Sequence, residues 1–154
     1  MIELKNVTKI YNQDKEDEVR ALKGVNIAFE DSGLYFITGK SGSGKSTMLN
    51  ILGGLDSVSD GQVIIDGECL DTLSRNQLDE YRKNKVGFIF QNFNLIEELS
   101  VEENIALALD LKGEKADIEK VRQALKEVDL EGDEKRKANK FSGGQKQRVA
   151  MARA

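Results

Sequence analysis

Residues 39 to 47 read Gly39-Lys40-Ser41-Gly42-Ser43-Gly44-Lys45-Ser46-Thr47 and meet the spacing G-x-x-x-x-G-K-[ST] without a gap. Gly42 and Gly44, having no Cβ, let the backbone close into a concavity whose N–H groups point inward at anionic oxygens. Ahead of it, Leu34-Tyr35-Phe36-Ile37-Thr38 is a short apolar, β-rich run; behind it, Met48-Leu49-Asn50-Ile51-Leu52 suits a buried helix. Strand, glycine loop and helix, in that order, bring the positive end of a helix dipole to a phosphate. In such a loop Lys45 reaches the β- and γ-phosphates of a nucleoside triphosphate as a point charge, and the Ser46 hydroxyl takes a coordination position on Mg²⁺. All nine residues, Gly39 through Thr47, are therefore candidates for contact with the nucleotide. A flexible Gly/Ser turn that happens to hold a lysine would not need the flanking strand and helix.

The rest of the composition bounds the setting. With 154 residues the chain is the size of one domain, enough to bury roughly 70% of its unfolded surface. It is 39% hydrophobic and 32% charged, and no apolar run approaches the length of a membrane span. The opening Met1-Ile2-Glu3-Leu4-Lys5 enters a strand-like alternation rather than a signal peptide, so a cytosolic protein is expected. Cys69 is a single cysteine in a chain without histidine, which excludes a Cys/His metal site. The net charge of −4 gives no electrostatic reason to expect nucleic acid or an anionic membrane as partner. Lys135-Arg136-Lys137 reads as solvated surface.

Periodicity places the elements. Strands are expected over residues 2–11 and 20–29, joined through the polar stretch 12–18, and the run 34–38 makes a third. Asp60-Gly61 turns the chain into Gln62-Val63-Ile64-Ile65-Asp66, and Asp66-Gly67 turns it back. A charged helix over 72–84 precedes a strand over 86–90 that ends on Gln91. Ser100 and Glu103 form an S-x-x-E capping box for a helix reaching Leu111. From Asp117 another helix carries Ile118, Val121, Leu125 and Val128 on one face. Ser142-Gly143-Gly144 leads into a last helix, Gln145 to Ala154.

Taken together, these motifs resemble the nucleotide-binding domain of ATP-binding cassette (ABC) transporters over the whole chain. Phe90-Gln91-Asn92 with Asn94-Leu95 resembles the glutamine loop, and Phe141-Ser142-Gly143-Gly144-Gln145-Lys146-Gln147-Arg148 resembles the signature motif. Tyr11, ending the first strand, resembles the aromatic that stacks on adenine. Ala21-Leu22-Lys23-Gly24-Val25 and the stretch 87–95 look most like the lipoprotein-release, macrolide-export and antimicrobial-peptide-resistance subfamily. Glu97, where these proteins usually have proline, and Phe141, where the signature usually has leucine, depart from the pattern.

The resemblance implies an α/β phosphate-loop fold: an antiparallel β subdomain, an incomplete parallel core sheet and an α-helical subdomain. It divides residues 1–91, with the β subdomain and phosphate-loop core, from a helical subdomain at 92–141 and a signature helix at 142–154. ATP and Mg²⁺ are the implied cofactors, with Lys45 and Gln91 acting at the reacting end and Ser46 and Gln91 on the metal. Ser142, Gly143, Gly144 and Gln145 would close on the γ-phosphate held by a second nucleotide-binding domain, giving a head-to-tail dimer. A transmembrane permease subunit is the other implied partner, placing the protein at the inner face of the cell membrane. The family's later Asp-Glu strand and histidine loop have no counterpart here, so the chain reads as the N-terminal part of an ATPase subunit that binds ATP without hydrolysing it. Two other functions compete. A regulatory module could take nucleotide without turnover, or another phosphate-loop enzyme could stand here. The guanine-specific N-K-x-D is missing, since Asn84-Lys85 is followed by Val86-Gly87.

Overall fold

The N-terminal sheet is organised around a break in alternation. In the computed structural model, which describes residues 1–115 and 117–154, strand β1, Ile2–Tyr11, turns Leu4 and Val7 into the core although they stand three residues apart. Asn6 makes this possible by adopting φ 52°, and the pairing register shifts there on both sides of β1. A bulge adds one residue to a strand and so restores the inward face beyond it. β1 pairs antiparallel with β2, Val19–Phe29, on one side and with β3, Asp60–Ile65, on the other. The two-residue strand β4, Glu68–Cys69, completes the order β2-β1-β3-β4. Asp66 and Gly67, at φ 51° and 86°, make the hairpin turn before it, the left-handed pair that fits strand twist.

Helix α1, Lys45–Leu52, packs Met48 and Ile51 onto Leu4, Val7, Leu22 and Val63 of the sheet. Helix α2, Arg75–Lys85, starts behind Ser74, whose backbone N–H and hydroxyl both donate to Gln77 Oε1. Residues Met1–Arg82 form one compact unit and Lys83–Ala154 a second.

The second unit is helical. Helix α3, Val101–Leu111, opens on the Ser100/Glu103 capping box, and Asp117 caps α4, Ile118–Glu127. Helix α5, Gly143–Arg153, opens on a second box made by Ser142 and Gln145. Their apolar faces meet through Val101, Ile105, Val121, Leu125 and Val149. Of the expected α4 stripe, Val121 and Leu125 are buried and Val128 packs beside them, while Ile118 is exposed. Asn104, also buried, accepts from the Ile96 N–H and donates to the Ile96 and Ser100 carbonyls, tying the approach loop to α3. No helix among the described residues is long and apolar enough to cross a membrane.

The antiparallel and helical parts follow the expectation; the parallel part is corrected in detail. Neither 34–38 nor 86–90 enters a strand ladder among the described residues. An apolar, β-branched run favours a strand only where neighbouring strands take its N–H and C=O groups. Without them Leu34 and Phe36 stand 80% exposed, whereas Tyr35 is held by edge-to-face contact with Phe29 at 5.0 Å.

Candidate phosphate-binding site

Two steric facts shape the loop at 39–47. Gly44 takes φ 87° and is the N-cap of α1, and a Cβ there would lie 2.4 Å from the Ala21 carbonyl oxygen and 2.9 Å from Leu22 Cδ2. The loop is thereby pressed onto β2 at a place only glycine can occupy. Gly42, at φ 76°, has nothing within 4 Å of the Cβ position, so its demand is for the left-handed backbone alone.

Behind Gly44, α1 opens with no side-chain cap and no acid in its first turn. The boxes and caps on α3, α4 and α5 show the contrast. Uncapped N–H groups and a helix dipole pointing at an exposed loop favour an anion. Lys45 Nζ arches back over the loop and donates to the carbonyls of Gly39 at 2.9 Å and Lys40 at 2.7 Å, with Ser43 Oγ at 3.4 Å. Ser46 is exposed in the first turn, and Lys40, Ser41 and Ser43 are exposed in the loop. This cradle fits a polyphosphate, with Ser46 offering a hydroxyl oxygen to a hard cation. Arg20 and Lys23 line a cleft of about 380 Å³ beside Gly42 and Ser43, adding positive charge to that side.

Tyr11 lies in the same unit, at the end of β1. Its hydroxyl donates to Asp56 Oδ2 at 2.7 Å and stands 3.5 Å from Thr47 Oγ1, so it reaches both the first turn of α1 and the segment that follows the helix. Burial and the bond to Asp56 raise the Tyr11 pKa, against a lowering contribution from Thr47. Lys9 Nζ, on a residue only 8% exposed, donates to Asp56 Oδ1 at 2.5 Å and to the Ser57 carbonyl at 2.7 Å. Burial works against the Asp56 charge, but the bonds from Lys9 and Tyr11 outweigh it and hold the carboxyl below its ordinary range. Lys9 and Asp56 escape a reading of motifs. A hint exists in strand periodicity, because Lys9 and Tyr11 share a face at i and i+2.

The other candidates belong to the second unit. Gln91 is exposed at a turn closed by the Phe93 N–H on the Phe90 carbonyl. Phe93 and Asn94 follow at φ 61° and 47°, a costly conformation for a bulky residue. Arg153, at the end of α5, holds it by donating to the Phe93 carbonyl at 3.0 Å and the Asn94 carbonyl at 2.5 Å. Ser142 Oγ accepts from the Gln145 N–H, and the Ser142 N–H donates to Gln145 Oε1. Gly143 and Gly144 sit in the first turn of α5 without positive φ; a Cβ on Gly143 would meet only Phe93 Cζ at 4.0 Å, and one on Gly144 would meet nothing. The two departures from the family pattern are both engaged: Glu97 receives Lys146 Nζ at 2.6 Å, and Phe141 is buried under the Arg136 guanidinium at 4.3 Å.

The ABC transporter family model matches residues 22–154, from β2 through the phosphate loop to the end of α5. The chain belongs to the ABC transporter family. It is 45% identical over 160 residues to the ABC transporter ATP-binding protein MJ0796 of Methanocaldococcus jannaschii, covering all of this chain and 68% of that protein. It is 43% identical to the methionine import ATP-binding protein MetN 1 of Staphylococcus epidermidis, spanning 45% of its length. To the lipoprotein-releasing system ATP-binding protein LolD of Buchnera aphidicola it is 42% identical, with 97% of this chain and 66% of that protein covered. A dimeric MJ0796 cassette in a post-hydrolysis state, bound to ADP and Pi, matches with a TM-score of 0.91 at 43% identity over 99% of this chain and 68% of that one. The fold is thus that of ABC ATPase cassettes, and the lipoprotein-release and macrolide-export ATPases are among its relatives. The chain spans about half to two thirds of the length of the first two relatives named here.

Proposed function

We propose that the chain is the ATP-binding part of an ABC transporter subunit, taking Mg-ATP at the phosphate loop and working against a permease at the cytoplasmic face of a membrane. The observation that carries this reading is the loop itself: a glycine packed where no Cβ fits, an uncapped helix behind it, and the Lys45 ammonium poised above. Gly39 to Thr47 would hold the phosphates, with Lys45 on the terminal ones and Ser46 on Mg²⁺. Mg²⁺ would neutralise phosphate charge and orient the chain of phosphates. Tyr11 would stack on the base, and Gln91 would ligate the metal or orient water.

Ser142 to Gln145 would meet the nucleotide of a second copy. Glycine in the first turn of a helix costs up to about 1 kcal/mol against alanine, and within this chain neither space nor φ calls for Gly143 or Gly144. What their bareness offers is close approach from outside to the N–H groups of α5. MJ0796, solved as a dimer with ADP and Pi bound, supports that pairing. The relatives include an importer subunit as well as a lipoprotein-releasing one, and export or extraction is our reading of the direction.

The finer proposal is that these 154 residues take up ATP without turning it over. Asp56 has both oxygens engaged by Lys9 and Tyr11, which leaves it no freedom to act as a base toward water. Equilibrium binding of Mg-ATP followed by phosphate-release assays tests both levels: uptake with background release is expected. Absence of uptake would sink the nucleotide reading, and release above background would sink the claim of no turnover.

A further inference from the structure

The phosphate loop and the base platform are joined by a cluster that motif matching passes over. Asp56 lies four residues beyond the end of α1, and its carboxylate is shared. Oδ1 takes Lys9 Nζ at 2.5 Å and the Ser57 N–H at 2.8 Å, and Oδ2 takes the Tyr11 hydroxyl at 2.7 Å. Lys9 Nζ also lies 4.9 Å from the centroid of the Tyr11 ring. A cation over a ring is attracted by its π face, and this one is anchored at three points: the carboxylate, the Ser57 carbonyl and the ring.

From this geometry we infer that Lys9 and Asp56 are positioning residues for nucleotide, setting the plane of the Tyr11 ring and its height above the phosphate loop, so that a purine base and its phosphates are read together. The inference rests on the reading of Tyr11 as base platform. An aromatic ring at the end of a strand has two rotatable side-chain bonds and no fixed tilt. Here the hydroxyl is fastened to Asp56, in the segment that follows the helix beginning at Lys45, with Thr47 3.5 Å away in that helix's first turn. The Lys9 ammonium lies over one face of the ring, and a flat base would stack on the other. The charge of the pair is what holds the arrangement, since a bond to an ionised group is shorter and stiffer than a neutral one.

The consequence separates base recognition from phosphate recognition. Dissociation constants are measured for Mg-ATP and for inorganic Mg-tripolyphosphate on the wild type, Lys9→Met, Asp56→Asn and Lys9→Arg, with thermal melting of each. Lys9→Met and Asp56→Asn are expected to weaken Mg-ATP by about three- to tenfold, part of the value of one stacked base, while tripolyphosphate changes by less than about twofold. Lys9→Arg, which keeps the cation on Asp56, should restore Mg-ATP binding to near wild type. Equal losses for both ligands would overturn the inference, showing that the pair merely props α1, and so would unchanged Mg-ATP binding in both variants. If the wild type bound tripolyphosphate as tightly as ATP, the base platform would fall and this inference with it, leaving the phosphate loop standing. A wild type that bound neither ligand would overturn the nucleotide reading itself. Should Lys9→Met fail to fold, Asp56→Asn, which retains an acceptor for the Tyr11 hydroxyl, gives the same comparison.

Discussion

Gly44 faces Ala21 so closely that a Cβ on it would lie 2.4 Å from the Ala21 carbonyl oxygen. Nothing comparable surrounds Gly42, where the Cβ position is open for 4 Å. Both residues hold positive φ, so alanine at either carries a backbone penalty of about 1–2 kcal/mol, but only at Gly44 does a backbone clash add to it. Urea unfolding should therefore show Gly44→Ala losing about 2–4 kcal/mol and Gly42→Ala about half of that or less. Equal losses would mean that the loop is not seated on β2.

Gly144 predicts opposite signs for stability and assembly. A Cβ there meets nothing in this chain, so Gly144→Ala should leave α5 unharmed or stabilise it by up to about 1 kcal/mol. The same methyl would stand between the first-turn N–H groups and a phosphate brought by a second copy. Melting curves should show an equal or higher midpoint, and light scattering should show loss of Mg-ATP-dependent association. Association that survives the substitution would remove α5 from the contact.

Asp56 links the site to pH. Its folded pKa lies below the ordinary carboxylate value of 3.8 because Lys9 and Tyr11 outweigh the effect of burial. A folded value below the unfolded one means that the ionised carboxylate stabilises the fold fully above the ordinary value and loses that contribution as pH falls through the folded one. Wild type should exceed Asp56→Asn by about 1–3 kcal/mol at neutral pH, with the gap narrowing as pH drops from about 5 toward 3. A gap that widened in acid would contradict the assignment of charge.

Asn104 gives the helical unit a test of its own. The residue is 2% exposed and makes three hydrogen bonds, two of them to Ile96. Asn104→Ala would leave buried peptide groups without partners, at about 1–3 kcal/mol. Chemical denaturation should register that loss, and a change below about 0.5 kcal/mol would show that water replaces the amide readily.

The sequence made local features legible and long-range ones obscure. The Ser100 capping box, the helix that follows the glycine-rich loop and the Asp66-Gly67 turn depend on residues a few positions apart, and each forms where the spacing places it, whereas the box that Ser142 makes with Gln145 starts the last helix two residues ahead of the expected Gln145. The bulge at Asn6 was invisible to a period-two count because a positive φ resets the alternation. Lys9 and Asp56 are separated by |i−j| = 47, and no short pattern joins them. The strands expected at 34–38 and 86–90 fail for a related reason. Their composition is right for strands, but pairing is a property of neighbours, and Phe36 at 80% exposure shows what an apolar run does without them.

On the proposed reading, the loop from Gly39 to Thr47 holds the phosphates of ATP, with Lys45 as its charged contact. Lys45 Nζ is already held above the loop by the Gly39 and Lys40 carbonyls, so the ammonium needs little rearrangement to engage an anion. Titration of Mg-ATP against wild type and Lys45→Ala, both checked for folding by circular dichroism, is the most direct measurement. Affinity should be lower by about 10- to 150-fold in the variant, the worth of one charge-assisted bond of about 1.5–3 kcal/mol. Equal dissociation constants for the two folded proteins would contradict that reading.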